Sequence, residues 1–297
     1  MTAAGERLAV GLVQMAMSES AADNDAKAEA GIRAAAVQGA KLVCLPELYR
    51  SRYFCQSENE AFFALAEPVP GPTTDKLAAI AKELGITLVA SLFERRAPGL
   101  FHNTTAVIDG ARGYLGKYRK MHIPDDPRYY EKYYFTPGDL GFLRFDTSAG
   151  RLGVLICWDQ WYPEAARLTA MQGADILIYP TAIGWHPEEK DKNGAAQAEA
   201  WTLMQRSHAV ANGCFVIAIN RVGFEPEPGG PGGIEFFGSS FVAGPDGRVL
   251  AKAGSDAPAV IVVSLENAAV ERARIGWPFM RDRRIDAYGE ITSRWSG

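Results

Sequence analysis

Sheets covered by helices, within one domain, are what this sequence predicts, and three observations predict it. Short apolar runs alternate along the chain with segments whose apolar residues recur at helical spacing. The apolar runs read as buried strands, which need helices layered against them. No repeat or compositional break divides the 297 residues.

The elements follow in order. Residues 8–15 form a first buried strand, and 23–38 a helix with Ala28, Ile32, Ala35 and Ala36 on one face and Gly39 as its stop. A second strand over 41–45 ends at Pro46-Glu47. A helix over 73–84 carries Leu77, Ile80, Ala81 and Leu84, with Gly85 after it, and strands follow over 86–93 and 104–109. Residues 122–138, rich in Asp, Pro and Tyr, read as an ordered loop. A strand over 152–156 leads into Cys157 and a helix over 162–171. Then come a strand at 175–179, a helix at 195–212 and a strand at 214–220. The Gly/Pro-rich stretch 225–233 reads as a surface loop, and strands close the chain at 239–243, 249–251 and 259–264. The charged tail, about 277–297, with Arg281, Asp282, Arg283 and Arg284, is available to pack on a neighbouring subunit.

Composition narrows the function classes. Apolar residues make up 47% and charged residues 22%, an ordinary globular balance. A net charge of −4 without a basic block argues against nucleic acid as a partner. Residues 1–10 contain Glu6 and Arg7 and do not read as a signal peptide. Nowhere do about 18 apolar residues run together, so no membrane span is expected. Cys44, Cys55, Cys157 and Cys214 lie far apart without CxxC spacing, which disfavours a disulfide framework or a zinc site and fits a reduced, cytoplasmic setting.

Cys157 is the best nucleophile in the chain. It stands at the end of an apolar strand, before a turn and a helix whose N-terminus favours a thiolate. Cys44 and Cys214, inside or opening apolar strands, read instead as small buried hydrophobes. Glu47 closes its strand behind Pro46, placed either as a general base or as a cap or surface ion-pair partner. Lys120 taken alone reads as a solvated cation. His122 and His186 read as structural, since no histidine lies in metal-ligand spacing, and Tyr129, Tyr130, Tyr133 and Tyr134 as pocket wall or core.

Three segments change the weight of these residues together: Leu45-Pro46-Glu47-Leu48, Lys117-Tyr118-Arg119-Lys120-Met121-His122 and Ile156-Cys157-Trp158-Asp159. In order and spacing they resemble the nitrilase superfamily, over nearly the whole chain. The resemblance implies an α+β fold, a four-layer α-β-β-α sandwich, with a Glu-Lys-Cys triad and no metal or organic cofactor. It makes Glu47 the general base, Lys120 and the Trp158 backbone N–H the oxyanion donors, and Cys157 the nucleophile. Glu131, in Tyr129-Tyr130-Glu131-Lys132, matches a second glutamate that orients the lysine or helps proton transfer. Homo-oligomers are implied as well.

Several stretches resemble the branch that acts on N-carbamoylputrescine, among them Tyr130-Glu131-Lys132-Tyr133-Tyr134-Phe135 and Cys157-Trp158-Asp159-Gln160-Trp161. That implies cleavage of a ureido group on a four-carbon amine, giving putrescine, ammonia and carbon dioxide. The alternatives are a related amidase acting on an N-carbamoyl amino acid or a small aliphatic amide, and a non-catalytic binding protein of the same fold. A substrate ammonium wants carboxylates and aromatic walls. Where N-carbamoyl amino acid hydrolases tend to carry Arg after the nucleophile, this chain has Asp159, Gln160 and Trp161. Asp125, Tyr130, Trp158, Trp185, Glu188 and Glu189 are the candidate substrate contacts, along with Asp126. One departure stands out: Trp185-His186-Pro187 occupies the place where that branch commonly has Ser-Glu-Pro.

Overall fold

In the computed structural model, which describes residues 7–297, the first half of the chain runs β1 (Arg7–Gln14), α1 (Ala21–Val37), β2 (Leu42–Cys44), α2 (Pro72–Leu84), β3 (Thr87–Ala97), β4 (Leu100–Asp109) and β5 (Gly113–Arg119). One turn of helix, α3 (Glu131–Tyr134), lies in the connection to the second half. There follow β6 (Arg144–Thr147), β7 (Gly150–Val154), α4 (Pro163–Met171), β8 (Ile176–Thr181), β9 (Gly184–Trp185), α5 (Pro187–Asn212) and β10 (Phe215–Asn220). The chain ends with β11 (Val222–Pro226), β12 (Gly233–Phe237), β13 (Phe241–Ala243), β14 (Val249–Lys252), β15 (Ala259–Glu266) and α6 (Ala268–Gly276). The N-terminal reading over residues 1–6 lies outside the described residues.

The strands form two six-stranded sheets, in the orders β15-β1-β2-β3-β4-β5 and β14-β13-β10-β8-β7-β6. Strand alternation sorts their side chains into layers. Leu42, Cys44, Val89 and Val107 join β7, β8 and β10 in a core between the sheets, while Val43, Leu88, Ala90, Ala106 and Ile108 pack on α1 and α2. Ala165 and Ala166 of α4 and Trp201 and Ala209 of α5 cover the second sheet. The result is a four-layer α-β-β-α sandwich. Among the described residues, no helix is long and apolar enough to cross a membrane.

The differences from the sequence reading have local causes. β5, sequence GYLGKYR, is half polar and was not expected as a strand. α5 begins at Pro187 rather than at 195, because its first turns (PEEKDKNG) lack an apolar stripe; Pro187 at the first helical position was the available signal. Glu188 and Glu189 therefore stand on the first turn of a helix, not on a loop. The stretch 225–233 is not a plain surface loop either. Its start belongs to the hairpin β11–β12, which joins β9 in a third, three-stranded sheet, and Glu225 is buried.

Candidate active site

The ends of β2, β5 and β7 converge on one buried cluster. Glu47 follows β2 and is fully buried, and the next residue, Leu48, takes a left-handed backbone (φ 48°) that turns the chain sharply at that point. Arg221 braces this turn. Its guanidinium donates to Glu47 O at 2.6 Å and Leu48 O at 3.2 Å, and pairs with Glu225 Oε1 at 2.9 Å. Glu225 Oε2 in turn accepts from the Tyr53 backbone N–H at 2.5 Å.

Lys120 sits just beyond β5, where its backbone N–H donates to Asn103 O at 2.9 Å. Gly138 donates to Lys120 O at 2.7 Å, and a Cβ on Gly138 would stand 2.1 Å from Arg119 O, so only glycine lets this loop approach so closely. The Lys120 ammonium donates to Glu47 Oε1 at 2.8 Å and to Glu131 Oε2 at 2.7 Å. Asn103 Nδ2 also donates to Glu47 Oε1, at 2.6 Å, and the Tyr53 hydroxyl donates to Glu131 Oε1 at 2.6 Å. Glu47 Oε2 is the exception: it is buried and has no hydrogen-bond partner among the described residues.

Cys157 stands at the start of a 3₁₀ turn, Cys157–Trp161, two residues past the second sheet's Leu155–Ile178 backbone bond. Its φ of 41° is a left-handed conformation that costs a non-glycine residue roughly 1–3 kcal/mol. Asp159 holds the strained turn in place. One oxygen accepts from the Ile156 N–H at 2.9 Å and the Tyr118 hydroxyl at 2.8 Å, and the other from the His122 N–H at 3.0 Å. His122 Nδ1 lies 2.7 Å from that second oxygen, and its ring stacks on Tyr162 at 3.7 Å. Asp159 is thus buried and structural, and it does not line the substrate cavity.

Electrostatics bind the cluster together. Burial pushes the Cys157 thiol well up, Glu47 pushes the same way, Lys120 opposes them, and Glu131 adds to the rise. The resting group is therefore a thiol, whereas the sequence reading had a helix N-terminus favouring the thiolate. The turn after Cys157 is too short for that effect, and the desolvation is too strong. For Lys120, burial pulls the pKa down, but Glu131, Glu47 and Cys157 together carry it well above the ordinary lysine value, so it stays charged. Burial pushes the Glu131 carboxyl up to about 7, against the pull of Lys120.

Cys157 opens onto a cavity of about 680 Å³. Glu131, Trp158, Gln160, Trp161, Asp126, Tyr129, His186, Glu188 and Glu189 are among the residues that line it. Of the sequence candidates, Glu47, Lys120, Glu131 and Cys157 come together, and Trp158, Glu188 and Glu189 reach the cavity. Asp125, Tyr130 and Trp185 are not among the lining residues; their neighbours Asp126, Tyr129 and His186 are. Trp185 turns away, donating from Nε1 to Gly194 O at 3.0 Å beneath the Lys190 ammonium. Cys44 and Cys214 are fully buried, as is Cys55. Tyr53 and Asn103 carry no sign in the sequence because the carboxylates they meet lie 78 and 56 positions away; Arg221 and Glu225 pair locally, but what they brace, the turn at Glu47 and the Tyr53 N–H, lies more than 170 positions away.

Comparison with known proteins gives consistent results. A family model described as carbon-nitrogen hydrolase matches residues 9–275. The chain is 44% identical to an N-carbamoylputrescine amidase of Solanum lycopersicum, over 94% of this chain and 93% of that one. It is 38% identical to a citrullinase of Francisella tularensis, over 96% and 98% of the two chains. A crystal structure of a carbon-nitrogen hydrolase from Helicobacter pylori G27 superposes with a TM-score of 0.95 at 46% identity, covering 98% of this chain and 100% of that one.

Proposed function

The chain belongs to the carbon-nitrogen hydrolase family, and from that premise we propose that it hydrolyses N-carbamoylputrescine to putrescine, ammonia and carbon dioxide. Glu47, Lys120 and Cys157 are the proposed triad, with Glu131 orienting the lysine. The observation that carries the chemistry is the unpartnered Glu47 Oε2 in a cage that otherwise satisfies its carboxylates. It is the base available to a thiol that cannot ionise alone.

The steps follow from the donors and acceptors on hand. Glu47 takes the thiol proton as Sγ attacks the ureido carbon, and the carbonyl π pair moves onto oxygen. An ammonium has three protons, and Lys120 spends two on Glu47 and Glu131. The third is left for the oxyanion, opposite the Trp158 N–H. Proton transfer to Glu47 also removes the charge that held Lys120, so the lysine's field turns to the oxyanion just as it forms. The tetrahedral species expels one nitrogen, which takes the proton from Glu47. Water then cleaves the carbamoyl thioester and returns the thiol, and the released carbamic acid splits into carbon dioxide and an amine or ammonia.

The substrate's far end meets an acidic, aromatic wall. Glu188 is paired with Arg128 at 2.8 Å, and among the described residues Glu189 has only His186 Nδ1, at 3.7 Å. Asp126 makes no ion pair among the described residues. We therefore assign the substrate ammonium to Asp126 and Glu189, rather than to Asp125, Tyr130 or Trp185. This amine-facing wall, with no unpaired Arg in the cavity lining, favours N-carbamoylputrescine over N-carbamoyl amino acids lacking an ammonium.

Ammonia release from N-carbamoylputrescine, N-carbamoyl-β-alanine and a simple aliphatic amide tests the reading. N-carbamoylputrescine is expected to have the highest kcat/KM, and Cys157→Ala to lower turnover more than about a thousandfold with an unchanged fold. Preference for N-carbamoyl-β-alanine, or an active Cys157→Ala variant, would overturn it. We further place the whole chain, read as one domain with its tail, in polyamine biosynthesis in the cytoplasm, as a homo-oligomer. Exposed Ile275, Trp277, Ile285, Ile291 and Trp295 give the C-terminal segment an apolar face suited to a second copy. Sedimentation of the full chain as a monomer would remove that assignment.

A further inference from the structure

Each Glu131 oxygen accepts one side-chain bond, Oε2 from the Lys120 ammonium at 2.7 Å and Oε1 from the Tyr53 hydroxyl at 2.6 Å. The proposed mechanism uses the first and leaves the second without a task. Tyr53 is fully buried, and an ionised carboxylate can only accept, so the phenol is the donor. Burial, and then the Glu131 charge, push that phenol well above its ordinary value. It therefore keeps its proton throughout the neutral range and donates at every pH of interest.

Tyr53 is anchored at both ends. Its backbone N–H donates to Glu225 Oε2 at 2.5 Å, Glu225 pairs with Arg221, and Arg221 grips the Glu47 and Leu48 carbonyl oxygens. Its ring centre lies 5.5 Å from that of Tyr129 and 5.8 Å from that of Phe236, with the Arg221 guanidinium 5.7 Å away. The bonds close a circuit that runs from Glu47 through Lys120, Glu131, Tyr53, Glu225 and Arg221 and back to Glu47. The two carboxylates that flank the lysine are thus joined twice, once by Lys120 and once by Tyr53.

We propose that Tyr53 is a positioning residue for the hydrolysis, its hydroxyl holding Glu131 ionised and turned toward Lys120. This rests on the reading of Glu47, Lys120 and Cys157 as the triad. A hydrogen bond donated to the charged form of an acid favours that form. When Glu131 takes up a proton, Lys120 loses an acceptor and turns wholly onto Glu47. The base is then masked, and the third ammonium proton leaves its line to the oxyanion. Glu131, pushed up to about 7 by burial, therefore sets an acid limb in kcat. The other groups facing it are Lys120, Glu47, Cys157, Cys55 and Tyr129, and Tyr53→Phe leaves every one of them in place.

The test is the pH profile of kcat for the full-length enzyme, read by ammonia release. The substrate is whichever of N-carbamoylputrescine, N-carbamoyl-β-alanine and the aliphatic amide the parent turns over. Tyr53→Phe keeps the ring and removes the donor. Its acid limb is expected to move up by about one pH unit, the worth of one hydrogen bond to a charged group. The loss of kcat is then about tenfold below the limb and shrinks as pH rises past it, with KM moving less than kcat. 3-Fluorotyrosine placed at position 53 is a more acidic phenol and a stronger donor, and should move the limb down; it keeps the hydroxyl if the phenylalanine variant fails to fold. A limb that stays where it is, or a kcat lowered by one factor at every pH, overturns the proposal. Tyr53 is then a packing residue, and the triad reading stands. A parent that hydrolyses none of the three compounds overturns the triad reading itself, and this proposal with it.

Discussion

Arg119 and Lys120 are neighbours in sequence, yet they serve two buried carboxylate clusters with opposite properties. Arg119 meets Glu94 with two bonds, at 2.7 and 2.9 Å, and Asp139 with one at 2.8 Å. Lys117 at 2.5 Å and the Thr104 hydroxyl at 2.6 Å complete Glu94, so each of its oxygens accepts twice. Burial pushes the Glu94 carboxyl up, but the bonds from Arg119, Lys117 and Thr104 overcome it and hold the group down to about 2. In the other cluster a single ammonium is shared by Glu47 and Glu131, burial prevails, and Glu131 rises to about 7. The same residue types give an inert brace where cations match carboxylates, and a reactive site where one cation must serve two and one oxygen is left open.

The largest effect expected from breaking this contrast is at Lys120. Lys120→Ala should lower kcat by roughly 10²–10³-fold, since in the proposed mechanism the ammonium faces charge that exists only in the transition state. KM should change far less. Comparable losses in substrate binding and in turnover would make Lys120 a binding group and end its part in the comparison. Thermal unfolding of the variant, run alongside, separates lost chemistry from lost fold, because Glu47 and Glu131 are left facing each other in a dry interior.

Much of this site was legible in the sequence, but not all of its parts. Cys157 stood out by closing an apolar strand, while Glu47, closing another, stayed open between a base and a cap or surface ion pair until its motif was read beside the others. Lys120 carried no such sign on its own; only its motif, beside the other two, singled it out. The bracing residues were hidden for a different reason. Arg221 holds the Glu47 turn through carbonyl oxygens 174 and 173 positions away, and main-chain acceptors leave no mark in residue identity. Glu225 sat at the head of a Gly/Pro-rich stretch whose composition spoke for a loop. The sandwich itself was more legible than its edges. Leu42, Val43 and Cys44 alternate between two cores without a polar residue to betray it, whereas β5 mixes Tyr, Gly, Lys and Arg and read as no element at all.

A smaller effect on chemistry is expected from the Glu94 cluster. Arg119→Met leaves Glu94 buried with fewer charges to answer it, which should cost on the order of 3–5 kcal/mol of stability. Turnover per folded molecule should stay within about twofold of the parent, because no atom of Arg119 reaches the cavity lining. Urea denaturation and active-site titration measure the two quantities separately. A large fall in kcat with little loss of stability would show that the two clusters are one machine, coupled through the shared backbone at residues 119 and 120.

The smallest effect is one of sign, read from the pH dependence of unfolding. Glu94 has a folded value of about 2 against an ordinary 4.5, so it contributes stability above about 4.5 that is lost as pH falls toward 2. Glu131, at about 7, binds its proton more tightly in the folded chain; its contribution is present below about 4.5 and is lost as pH rises through 7. Unfolding should therefore take up as much as about one proton at Glu94 in the acid window, and release up to about one at Glu131 between 4.5 and 7. Glu94→Gln should flatten the stability profile only in the first window and Glu131→Gln only in the second. If both variants flatten the same window, the two carboxylates do not differ in kind, and the division between a satisfied brace and an unsatisfied site fails at its electrostatic root.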